Sequence, residues 1–169
     1  MATFDLPILG FATNLDDGVY PSRVRDQLTI TDANVGKELC YVLPAAATIA
    51  ADTGLQGKFT VPQNYVSTPV LVVRGLLNGA PASLVIAFGV QLKALADNEA
   101  YDAAFAAQNI ASVAGTAWAD EDVYEETITI ADTLAVGDEV DFWFFVDDSV
   151  HTYTGTFLLT GLFFRYNDS

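Results

Sequence analysis

The side chains that could do chemistry are few, and their spacing does not assemble a reaction centre. The single histidine, His151, lies in Asp147-Asp148-Ser149-Val150-His151-Thr152, and the single cysteine, Cys40, stands between Leu39 and Tyr41. A general base needs an oriented nucleophile, and no spacing singles out Cys40 or any Ser or Thr as one. His151 is read as a solvent-exposed turn residue and Cys40 as a small buried side chain in an apolar strand. Gly54-Leu55-Gln56-Gly57-Lys58 has two residues between its glycines where a phosphate loop needs four, and Phe59 follows where Ser or Thr is required. Acids cluster at Asp97, Glu99 and Asp102, at Asp120, Glu121 and Asp122, at Glu125 and Glu126, and at Asp147 and Asp148. None has the ligand order of a calcium loop, although Asp120 to Asp122 is the best placed for a divalent ion. The chain is expected to be no enzyme, with no catalytic residue, no cofactor and no assigned metal.

The distinctive chemistry is aromatic. In Glu139 to Asp147, Val140, Phe142, Phe144 and Val146 share one side of a strand, while the opposite side runs Asp141, Trp143, Phe145, Asp147. Two large aromatics on a nominally wet face, with Phe157 and Phe163 on the second face of Thr156 to Tyr166, exceed what one core needs and mark surface covered either by a partner or, within the monomer, by a helix, the long loop near residues 94–119 or the second sheet. Aromatics flanked by acids can also form a sugar-stacking platform. The first ~20 residues carry Phe4, Leu6 and Ile8 among Pro7, Gly10, Gly18 and Pro21, a composition too apolar for a free tail, and are read as an arm lying on its own domain or on a neighbouring subunit.

The elements that must position these residues are strands. The 169 residues include 51% hydrophobic side chains, enough for one domain with a real core. Residues 84–93 alternate, with Leu84, Ile86, Phe88, Val90 and Leu92 on one side. Pro69 to Leu77 precedes them across Asn78-Gly79, so the two are expected to pair as a hairpin. In Asp122 to Ala131, Tyr124, Ile128 and Ile130 oppose Glu125, Thr127 and Thr129, as in a sheet with one dry face. Further strands are expected at Gln27 to Thr31, Glu38 to Leu43 and Gly57 to Val61, with Glu99 to Ala111 as a short helix or ordered crossover. The pattern implies an all-β fold, an antiparallel jelly-roll-like β-sandwich over 23–169 with an extended N-terminal arm over 1–22.

Charge bounds the partners. The net charge is −15, and the 7 basic residues, Arg23, Arg25, Lys37, Lys58, Arg74, Lys93 and Arg165, are scattered singly. That excludes the cationic footprint of nucleic-acid binding and of docking on anionic lipid. The uncharged window between Arg74 and Lys93 is broken by Asn78-Gly79 and Pro81, so no membrane span is expected. No basic segment followed by an apolar stretch opens the chain, which implies synthesis in the cytosol.

Three segments carry a resemblance: Phe59-Thr60-Val61-Pro62-Gln63-Asn64-Tyr65-Val66-Ser67-Thr68-Pro69 followed by Leu71-Val72-Val73-Arg74, the ending Gly161-Leu162-Phe163-Phe164-Arg165-Tyr166, and the opening Met1-Ala2-Thr3-Phe4-Asp5-Leu6-Pro7-Ile8. The chain resembles the small jelly-roll-like proteins that decorate or cement the capsids of tailed bacteriophages. The resemblance implies a non-enzymatic structural component on the capsid exterior of the virion, made in the host bacterial cytoplasm. It would bind the major capsid protein and itself, as a homo-oligomer for which a trimer is preferred by analogy. The expected interface residues are Phe4, Leu6, Ile8, Trp143, Phe145, Phe157 and Phe163. The competing expectation is a carbohydrate- or receptor-binding sandwich of a phage head or tail fibre, with Trp143 stacking on a sugar.

Overall fold

The computed structural model describes residues 2–8, 13–14, 41–43, 53–78, 85–96, 99, 104–106, 109–114 and 123–168. They form ten strands in chain order: β1 (Thr3–Pro7), β2 (Thr13–Asn14), β3 (Tyr41–Leu43), β4 (Thr53–Thr60), β5 (Tyr65–Asn78), β6 (Val85–Leu95), β7 (Asn109–Ala114), β8 (Val123–Thr129), β9 (Glu139–Val146) and β10 (Thr156–Asp168). The first sheet runs β1-β10-β5-β8, with β3 also on β10, and the second runs β2-β4-β9-β6-β7. Every pairing is antiparallel. The fold is thus the expected antiparallel β-sandwich, and no helix occurs among the described residues.

Alternation builds the core as the sequence implies. Ile86, Phe88, Val90 and Leu92 of β6, Val140, Phe142, Phe144 and Val146 of β9, and Ile128 of β8 all enter one buried cluster. Ring contacts bridge the layers: Phe59 to Phe164 at 4.7 Å and Phe88 to Phe157 at 5.0 Å between centroids. Each such side chain removed from water contributes roughly 1.5 to 3 kcal/mol, so the facing sheets hold each other without a staple.

Four expectations are corrected. Pro69 to Leu77 and residues 84–93 do not form a hairpin, because β5 pairs with β10 and β8 whereas β6 pairs with β9 and β7. Each carries a heavy apolar face, and two such faces are covered best by opposing each other across the core. The segment Glu99 to Ala111 is not a helix where it is described: Asn109–Ala114 is β7, and Ala106 donates its N–H to the Leu92 carbonyl at 2.8 Å.

The third concerns the N-terminal segment: of the two surfaces expected to receive it, the chain's own domain receives residues 3–7, and it does so as a paired strand rather than an extended arm. Thr3–Pro7 is zipped onto β10 of its own chain, Ala2 N–H donates to Asp168 Oδ1 at 2.6 Å, and Arg165 clamps Asp5 at 2.6 and 2.9 Å. Ile8, expected at an interface, is fully buried in the same sandwich. Residues 9–12 and 15–22 of the expected arm, the strand expected at Gln27 to Thr31, and Cys40 lie outside the described residues.

The fourth concerns β10. Leu159 pairs with Gly75 and Gly161 with Arg74, so Thr160 is an extra, unopposed residue. This β-bulge reverses the side-chain parity along the strand. Phe157 and Leu159 therefore face the core together with Leu162, Phe164 and Tyr166. The core face of the strand is thus apolar in two phases, while buried Leu158 and partly buried Phe163 lie on the other face.

Candidate functional site on the second sheet

The middle of the second sheet's outer face is built from three strands, β4, β9 and β6, whose registers bring unlike sequence positions side by side. Its centre is β9, where Asp141, Trp143 and Phe145 alternate with the core residues and point the other way. Trp143 is paired with Gln56 of β4 on one side and Gln91 of β6 on the other. Two residues along, Asp141 is paired with Lys58 and Lys93, and in the opposite direction Phe145 is paired with Gly54 and Gly89. Gln-x-Lys thus occurs on both flanking strands, antiparallel to a central Asp-x-Trp.

The aromatic pair is layered. Phe145 is fully buried although it faces away from the core, and its ring lies against Trp143 at 4.7 Å between centroids and beside Gly89. A Cβ at Gly89 would run into the Phe145 ring, and one at Gly54 into the Phe144 carbonyl oxygen. Gly89→Val is therefore expected to push Phe145 and Trp143 out of place and to cost about 1 to 3 kcal/mol. Urea denaturation and near-UV circular dichroism measure both effects. Trp143 itself is partly exposed, and its Nε1 is buried without a hydrogen-bond partner among the described residues.

The polar end is an ion-pair row. Lys58 Nζ lies 2.7 Å from Glu139 and 3.1 Å from Asp141 Oδ1, and Lys93 Nζ lies 2.9 Å from Asp141 Oδ2. Burial of Asp141 works against its ionisation, but Lys93 and Lys58 outweigh it and hold the carboxyl below the usual carboxylate range. Lys93 is nearly covered, with the Phe105 ring 5.6 Å from its Nζ.

At the far end of β9 the chain turns back on the start of β6. Asp147 N–H donates to the Ala87 carbonyl, and Ala87 N–H donates to His151 Nδ1 at 3.3 Å. His151 is buried, not the exposed turn residue expected, because the loop folds its ring against Tyr153 and the β6 backbone. Burial lowers its pKa to about 4, with the Asp147 charge opposing in part. The unfolded chain takes up that proton near pH 6.5, so stability is full above pH 6.5 and falls as pH drops towards 4. At about 1.4 kcal/mol per pKa unit the loss approaches about 3 kcal/mol. His151→Gln is expected to flatten the slope of urea stability over that window; an unaltered slope would assign it to other groups.

The first sheet's outer face is different in kind. Arg74 lies 4.9 Å over the Phe163 ring and ion-pairs with Glu125, while Arg165 joins Asp5 to Glu125. Arg165 holds Asp5 below its ordinary range, and Arg74, with Arg165, does the same for Glu125. Of the residues expected at an interface, Phe163 is here only partly exposed beneath Arg74, and Phe157 is buried by the parity reversal. Phe4 is 43% exposed and stacks on Tyr166 at 6.0 Å, and Leu6 packs partly buried against the core. The structure brings Trp143 and Phe145 together and leaves the other expected interface residues apart from them.

Among the described residues, no group of three or more His, Cys, Asp or Glu is placed to hold a metal ion, and no helix is long and apolar enough to cross a membrane. Asp120 to Asp122 lies outside them. No protein-family model and no curated protein matches the sequence. Among solved structures, the chain is similar to arabinose-bound MgGH51 α-L-arabinofuranosidase, at TM-score 0.45 and 14% identity, covering 93% of this chain and 23% of that one. It is also similar to the xylan-binding module CBM15, at TM-score 0.52 and 10% identity, over 99% of this chain and 98% of that one. At that identity, the likeness to CBM15 is one of fold, a β-sandwich matched from end to end.

Proposed function

We propose that this chain is a non-enzymatic carbohydrate-binding module whose ligand lies on the outer face of the second sheet. The observation that carries the reading is the row Gln56, Trp143, Gln91, in which a partly exposed indole is flanked in register by two amides. A pyranose presents a C–H face and a rim of hydroxyls. The indole supplies an apolar plane for the first, and amides are the group type that hydrogen-bonds the second, as donor or as acceptor. The fold shared with a module titled xylan-binding is in keeping with this reading. Affinity electrophoresis of the chain through gels containing soluble polysaccharides tests it: retardation by a polysaccharide supports the reading, and unretarded migration in every gel contradicts it.

A second reading follows from the resemblance to phage capsid-decorating proteins and from exposed Phe4 on the edge strand β1. In it the chain is a homo-oligomer seated on a major capsid protein at the virion surface. Pro7 and charged Asp5 on β1 oppose edge-to-edge strand pairing, so contact would be made through side chains such as Phe4. Ile8, Phe145 and Phe157 are withdrawn from that interface because one chain already buries them. Light scattering showing a monomer, with no copies in purified particles, would remove this reading.

A further inference from the structure

The cations on the platform are already neutralised, and this fixes the kind of glycan it accepts. Lys58 bridges Glu139 and Asp141, and Lys93 holds the other oxygen of Asp141, so two ammonium groups face two carboxylates. Asp141 is buried. A uronate or sulfate seeking either lysine would have to compete with the carboxylates that already hold it, and drawing one lysine away would leave buried Asp141 with a single counter-ion. The remainder of the molecule repels anions too, with a net charge of −15. The other side chains of the row, the indole and the two amides, are uncharged. Gln56, Trp143 and Gln91 also lie on adjacent strands, about 4.8 Å apart, so the row runs across the sheet and suits a linear run of sugar rings rather than a single ring.

We infer that the platform selects neutral, linear polysaccharides and discriminates against uronate-bearing ones, an inference that rests on the carbohydrate reading above. The test is affinity electrophoresis of the full chain in gels containing hydroxyethylcellulose, xylan or galactomannan as neutral polymers, and polygalacturonate or alginate as uronate polymers. Retardation by at least one neutral polymer, with at least tenfold weaker apparent affinity for both uronate polymers, is expected. Equal or stronger retardation by a uronate polymer would overturn the inference while leaving the platform intact. Absence of retardation in all five gels would overturn the carbohydrate reading and this inference with it. Glu139→Gln removes the exposed carboxylate of the row and leaves Lys58 with one partner. In that variant the ratio of uronate to neutral affinity is expected to rise at least threefold, and an unchanged ratio would show that the row does not set the selectivity.

Discussion

Deletion of Thr160 is expected to abolish cooperative folding. Thr160 is the unopposed residue between Leu159 and Gly161, and the phases of β10 on either side of it both face the core. Without it, one phase must turn outward. If Leu162, Phe164 and Tyr166 swing out, three side chains at roughly 1.5 to 3 kcal/mol each lose about 5 to 9 kcal/mol of burial. If Phe157 and Leu159 swing out instead, the loss is about 3 to 6 kcal/mol. Either is comparable with the whole stability of a domain, about 5 to 15 kcal/mol. Thr160→Ala keeps the bulge and removes only the 3.3 Å bond to the Arg74 carbonyl, so it should cost about 1 kcal/mol or less. Urea denaturation of the two variants separates them, and a deletion variant with a native-like midpoint would contradict the parity argument.

Trp143→Ala is expected to eliminate glycan retention while leaving a folded sandwich. A central aromatic at a binding site typically accounts for 2 kcal/mol or more, which is about thirtyfold in affinity. Truncation also removes the ring contact between Trp143 and Phe145, so about 1 to 3 kcal/mol of stability should be lost with it. Trp143→Phe retains a smaller plane and should recover much of that stability and part of the affinity. Retention by Trp143→Ala equal to that of the parent chain would remove Trp143 from the site.

What the sequence made legible was local. Alternation placed the inner faces of β6, β8 and β9 correctly, because period-two patterning is a property of one strand. It failed wherever a distant partner decides the outcome. Asn78-Gly79 signals a turn, but whether the strands beside it pair or oppose each other depends on β9 and β10, far along the chain. The bulge at Thr160 leaves no composition signal, so β10 reads as doubly buried. Thr3–Pro7 is too short and broken to show as a strand until β10 supplies the ladder.

The same limit applied to the candidate site. Trp143 and Phe145 stood out between acids, but Gln56, Lys58, Gln91 and Lys93 become their neighbours only through the registers of β4 and β6 against β9. The recurrence of Gln-x-Lys on two strands, facing Asp-x-Trp on a third, was the available signal. It has meaning only once those three strands are known to be adjacent.

The most direct test of the platform is a ¹H–¹⁵N titration of the intact chain with an oligosaccharide cut from a retarding polysaccharide. Shifts concentrated at Gln56, Trp143 and Gln91, including the Trp143 indole and the two side-chain amides, are expected. Shifts confined to Arg74, Phe163 and Arg165 on the other sheet, or none at saturating sugar, would contradict the account.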